Sequence, residues 1–142
     1  MASFIYDNFI LRMGGNGTPS DLHDGTISCM FIDEAIETPD QTNDQDVADR
    51  DPSAQVPAFA SAPEITTATW TVSSHVGVFD GDDTTFSALT GAGVESLDIF
   101  VDTGTDTTST LISNHDDYTG LAFTPSGGDV IVTWPDTGII RI

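Results

Sequence analysis

Apolar residues in this chain are gathered into short runs cut by Gly, Asp and Pro, and that punctuation constrains the fold more than any other feature. Residues 26–33, TISCMFID, place Ile27, Cys29 and Phe31 on one face of a strand and Ser28, Met30 and Ile32 on the other. Both faces are largely apolar, which predicts a central strand. Residues 94–102 alternate, with Leu97, Ile99 and Val101 on one face and Asp98, Phe100 and Asp102 on the other. A long β-prone run, EITTATWTVSSHVGVF, covers 64–79, with Trp70, Val72, Val76 and Val78 sharing one parity. Shorter strands are predicted at 85–89, 108–113, 129–134 and 138–142.

The N-terminal segment differs. In SFIYDNFILRM, residues 3–13, Phe4, Ile5 and Phe9 recur near a helical period, and Gly14, Gly15 and Gly17 stop it. The expectation is therefore a mainly β, single-domain sandwich or barrel spanning 1–142, with a short N-terminal helix or arm over 1–17. The length of 142 residues agrees, since a chain of this size folds as one domain and buries about two-thirds of its unfolded surface. Residues 38–53, rich in Asp and bracketed by Pro39 and Pro52, are expected to form an exposed acidic loop or flexible arm.

Charge limits the partners. Against 23 acidic residues stand three basic ones, Arg12, Arg50 and Arg141, for a net charge of -20. Such a surface repels a phosphate backbone and an anionic bilayer alike, so neither nucleic acid nor membrane is an expected partner. The absence of lysine, the excess of Asp over Glu and the abundant Thr resemble proteins of extreme halophiles. In ~1 M salt the screening length falls to about 3 Å and self-repulsion fades. Cys29 is single, so no intrachain disulfide forms. Nothing in MASFIYDNFILRMGGNG reads as an export leader.

Several motifs invite chemistry and fall short of it. Asp102-Thr103-Gly104 follows an apolar strand as in one half of an aspartic protease site, and Asp136-Thr137-Gly138 repeats it. Two carboxylates would have to share a proton across two lobes, and the span between the copies is too short for a lobe. Tight turns are the simpler account. Cys29 alternates in register with Ile27 and Phe31, the pattern of a core thiol and not of a nucleophile served by His23, His75 or His115.

Asp40, Thr42 and Asp44 start like an EF-hand loop, but Gln45 stands at the glycine position and Asp51 at the glutamate position. The clusters Asp80, Asp82, Asp83 and Asn114, Asp116, Asp117 read as solvated turns. Gly81, Gly127 and Gly128 lack the lysine and following helix of a phosphate loop. Trp70 and Trp134 would serve a glycan-binding surface if exposed, but they sit within strand patterns. No catalytic, cofactor or metal residue is assigned.

After Asp80, the string GDDTTFSALTGAGVESLDIFVDTGTDTTSTLISNHDDYTGLAFTPSGGDVIVTW resembles a family of small tailed-phage virion proteins. That family shares, in order, an Asp-rich turn with Thr-Phe, a Thr-Gly segment leading to Asp-Thr-Gly, and a strand ending in Leu-Ile. A Thr-Gly, Thr-Pro, Gly-Gly-Asp turn and a closing Val-Thr-Trp follow. The N-terminal part fits the same order, with a short helix, a glycine and a strand ending in Asp before a proline-containing loop.

The resemblance covers most of the chain and carries turn and core residues, with no catalytic signature. It departs from the family in lacking lysine and in its longer acidic loop. It implies a non-enzymatic virion structural protein: a capsid decoration (cement) protein, located on the outer capsid surface and bound to the major capsid protein of a tailed virus with a halophilic host. A closed homo-oligomer, first of all a trimer, suits quasi-symmetric shell sites. The expected assembly interface is Phe4, Ile5 and Phe9. The alternatives are a tail tube or terminator subunit, and a surface glycan-binding module.

Overall fold

A computed structural model describes residues 2–15 and 22–142. The chain is mainly β with one short helix near its N-terminus. The elements in order are β1 (Phe4–Ile5), α1 (Asp7–Met13), β2 (Thr26–Ile32), β3 (Gln55–Val56), β4 (Thr69–Ser73) and β5 (Val76–Asp80). There follow β6 (Thr84–Phe86), β7 (Ser96–Asp102), β8 (Leu111–His115), β9 (Val130–Val132) and β10 (Ile140–Arg141).

These strands form a five-stranded sheet in the order β1-β8-β7-β2-β3, a three-stranded sheet β10-β5-β4 and a two-stranded sheet β6-β9. Every strand pairing is antiparallel. All three sheets are open, with two edges each, which is the arrangement of stacked sheets and not of a closed barrel.

The two apolar runs at 26–33 and 94–102 become the neighbours β2 and β7, with Cys29 opposite Ile99 and Phe31 opposite Leu97. Both are buried on both faces, as the sequence of β2 requires; in β7 the second face, with Asp98 and Phe100, is covered as well. One contiguous core joins the sheets: Ile27, Cys29, Leu97 and Ile99 from the first, Phe79 and Ile140 from the second, and Phe86 and Val132 from the third. The third sheet packs by aromatic contact, with Phe86 centred 4.6 Å from Phe31.

The run 64–79 is not one strand but part of a hairpin. Trp70 pairs with Phe79 and Thr71 with Val78, so the chain reverses at Ser74-His75. Both residues have positive φ, 51° and 66°, as a two-residue turn matching strand twist demands. Left-handed backbone costs a non-glycine residue about 1–2 kcal/mol. His75→Gly is therefore expected to raise the unfolding free energy by about 1 kcal/mol in a denaturant titration. No gain would show that the turn is not strained.

The acidic loop at 38–53 is not the free arm that its composition suggests. Val47 is fully buried and Arg50 nearly so, and Asp44 is largely covered. A 3₁₀ turn at Val47–Asp49 is closed by reciprocal bonds of Asp46 and Asp49 side chains to the backbone. The Val47 N–H donates to Ser109 O at 2.9 Å and the Leu111 N–H to Gln45 O at 3.0 Å. The physical reason lies in Arg50: a guanidinium with several carboxylates in reach draws the loop onto the sheet.

Candidate functional site

The largest fully buried side chain is Arg50. Its Nε donates to Asp98 Oδ2 at 2.8 Å, deep in β7. One terminal nitrogen donates to Asp44 and, at 3.4 Å, to Glu37; the other donates to the Tyr6 hydroxyl. Tyr6 passes the chain on, its O–H donating to Asp98 Oδ1 at 2.7 Å. Asn114 on β8 adds an N–H to the same oxygen at 2.9 Å and another to Ser96 at 3.0 Å.

Burial alone would lower the Arg50 pKa, but the charge of Asp98 and the bonds Arg50 donates to Asp98 and Asp44 outweigh it and raise it. Burial first, then the Asp98 charge, lifts the Tyr6 phenol well above its ordinary range. Arg50 is thus held charged and Tyr6 neutral; Arg50, Tyr6, Asp98 and Asn114 are closed to solvent, while Glu37 at the rim is partly exposed. It ties the N-terminal segment, the acidic loop and the main sheet together.

Outside this anchor lies the surface it holds in place. The helix begins only at Asp7, because Phe4 and Ile5 extend the main sheet as β1, opposite Asn114 and Ser113. Phe4 also packs edge-on against Tyr6, centroids 5.0 Å apart. This takes Phe9 out of the expected patch. Phe9 is fully buried, and Phe4 and Ile5 are partly buried against the core. Starting the helix at residue 7 turns Phe9 inward and leaves Ile10, Leu11 and Met13 outward, 49%, 51% and 44% exposed. Of the segment 1–17 assigned to a helix or arm, residues 1, 16 and 17 lie outside the described residues.

Arg12 fixes the helix from the other side. Its guanidinium grips both oxygens of Asp46 at 2.7 and 3.2 Å and also donates to Thr110. The bidentate geometry adds directional hold to the ion pair.

The motifs that hinted at chemistry resolve into turns. Asp102 Oδ1 accepts the Gly104 N–H at 2.8 Å, and Gly104 has φ +80°. Asp102 Oδ2 accepts from Ser28 at 3.2 Å. At the second copy Gly138 has φ +99° and its N–H donates to Pro135 O at 2.9 Å. Asp102 ends β7, whereas Asp136 lies in the turn between β9 and β10, so the two carboxylates do not form a pair of matching strand-end loops. Cys29 is fully buried, and burial pushes its thiol pKa up, away from the thiolate a nucleophile needs. Trp134 is buried with its indole N–H on Thr84 Oγ1 at 3.1 Å, and so presents no face to a sugar ring.

One open groove of about 530 Å³ runs beside β9 and is lined by residues that include Tyr118, Leu121, Phe123, Ile131 and Pro135. It carries no charged lining residue. Tyr118 stacks on His115, rings 6° from parallel and 5.1 Å apart. Burial lowers the His115 pKa, opposed by the nearby charges of Asp117, Asp98 and Asp116.

No helix among the described residues is long and apolar enough to cross a membrane. Comparison with protein-family models and with curated proteins returns no match. What fold and surface define is an acidic, mainly β protein presenting a short, firmly anchored helix with an apolar outer row.

Sequence reasoning missed the buried cluster and misplaced the exposed row. A signal for the first existed: Asp44, Val47 and Arg50 recur at three-residue intervals in the acidic loop, and Arg50 is its lone cation. A signal for the second was the acidic residue Asp7, which suits a first helical turn.

Proposed function

We propose that this protein is a non-enzymatic virion component, a decoration protein that docks on the outer face of the major capsid protein shell of a tailed virus of a salt-loving host. The observation that carries the reading is the outward row Ile10, Leu11, Met13 on a body of net charge -20. Apolar side chains left exposed along the outer side of a pinned helix suit a protein contact, with Ile10 between Leu11 and Met13, and the rest of the surface is too acidic to suit packaged DNA. The ordered pattern of turns and core strands after Asp80, with its likeness to small tailed-phage virion proteins, supports the same reading. Protein docked this way braces the joints between capsid subunits, which is a task of shape and adhesion and needs no reactive group.

The test is a binding assay with undecorated capsids in high salt. Leu11→Asp is expected to weaken capsid binding at least tenfold while the far-UV spectrum and melting temperature stay near those of the parent. Phe9→Ala, by contrast, should lose about 3–5 kcal/mol of stability, because Phe9 is core. Unchanged capsid binding by Leu11→Asp would remove the helix row from the interface.

A further inference from the structure

The hairpin formed by β4 and β5 leaves one side of β4 without a neighbouring strand among the described residues. Which backbone groups are left open follows from the other side of the sheet. Gly77 exchanges both bonds with Ile142, at 2.8 and 2.9 Å, and Phe79 O accepts from Ile139 N at 2.8 Å. Gly77 and Phe79 therefore face β10, and Val76, Val78 and Asp80 face β4, where they meet Ser73, Thr71 and Thr69. The N–H and C=O groups of Trp70 and Val72 are left pointing outward.

This edge lacks the devices that normally blunt one. The other edge strands are two or three residues long, whereas β4 has five. It carries no charge, no proline and no bulge. Residues 65–79 are the longest stretch of the chain without Asp, Glu, Lys or Arg. On a molecule of net charge -20, this is where a second copy approaches without setting carboxylate against carboxylate. Val72, 76% exposed, is the most exposed large apolar residue among those described.

We infer that β4 pairs with β4 of a second copy of this chain, antiparallel across a two-fold axis at Thr71, joining the two three-stranded sheets into one. Centring on Thr71 is the register that uses every open group: Trp70 exchanges two hydrogen bonds with Val72 of the second copy, and Val72 does the same with its Trp70. Side chains follow. Val72 lies on the same face as Trp70, so each Val72 stands directly opposite the other copy's Trp70, whose indole rests over Gly77 of its own chain. The opposite face brings Thr71 against Thr71 and Thr69 against Ser73, pairs of matching polarity. Repulsion between the two acidic bodies makes the pairing salt-dependent: it forms at ~1 M salt, where screening is about 3 Å, and weakens as salt is withdrawn. A two-fold contact yields a dimer or links threefold rings on a shell; it does not by itself make a trimer.

Cysteine placement tests the register. Thr71→Cys sets two thiols in a non-hydrogen-bonded pair, Cα atoms about 4.5 Å apart, within disulfide reach. In high salt with mild oxidant it is expected to run largely as a linked dimer on a non-reducing gel. Thr69→Cys faces Ser73, not itself, and should stay unlinked, as should the parent, whose Cys29 is buried. In sedimentation at the same salt the parent should show the mass of two chains. Val72→Pro, which removes an outward N–H that the hairpin does not use, should show the mass of one. Equal linking of the two cysteine variants, or a one-chain mass for the parent at every salt, overturns the pairing. If Val72→Pro fails to fold, the contrast between the two cysteines still decides.

Discussion

Arg50→Met is expected to lose about 3–5 kcal/mol of stability, the cost of removing one partner from a buried ion pair. That is a large part of the 5–15 kcal/mol a domain of ordinary stability has. The effect is large because of what stays behind. Asp98 is fully buried, and without the guanidinium it keeps only the Tyr6 and Asn114 donors. Asp44 loses its cation at the same time, and the acidic loop loses its attachment to β7.

The double variant Arg50→Met, Asp98→Leu should be less destabilised than the sum of the two single changes, since neither charge is then stranded. Denaturant midpoints of the three variants measure this. A loss below about 1 kcal/mol for Arg50→Met would mean that the cluster does not hold the N-terminal segment and loop in place.

Withdrawing salt should have a comparably large effect by a different route. With a net charge of -20, the carboxylates repel one another over a screening length of about 30 Å at 0.01 M salt, the span of a small domain, against about 3 Å at 1 M. The melting temperature is expected to rise by on the order of 10 °C over that range, equivalent to a few kcal/mol for a chain of this size. The two effects are separable. Arg50 and Asp98 are out of reach of solvent ions, so the penalty of Arg50→Met should persist in 1 M salt, while the general repulsion disappears. A melting temperature that does not change with salt would contradict the halophilic reading of the composition.

The parts of the fold that could be read in the sequence are those where one rule acted alone. β2 announced itself as a central strand because both its faces are largely apolar, and β7 as a strand because Leu97, Ile99 and Val101 alternate; that its other face is buried too was not legible, since it carries Asp98, which Arg50 neutralises. The Asp-Thr-Gly segments read correctly as turns, since glycine supplies the positive φ. The hairpin at Ser74-His75 was hidden because its turn carries no glycine and none of the Asn-Gly or Asp-Gly pairs that mark a two-residue turn, so the run looked continuous. The acidic loop is exposed over most of its length, as its composition implies, but its anchoring was hidden because composition reports solubility and not contacts: one arginine ties it to the sheet.

Phe4, Ile5 and Phe9 show the same competition in the candidate interface. Helical spacing grouped them, but pairing with β8 claimed the first two as strand and rotated the helix that followed. Side chains at Ile10, Leu11 and Met13 then took the outer face. A shift in the helix start was enough to exchange core for surface.

The measurement that bears most directly on the proposed role is an image of the assembled virion at a resolution that traces this chain. The reading predicts copies on the outer face of the head, with Ile10, Leu11 and Met13 turned toward the major capsid protein and the acidic body toward solvent. Finding the chain stacked in the tail tube, or absent from the particle, would contradict it.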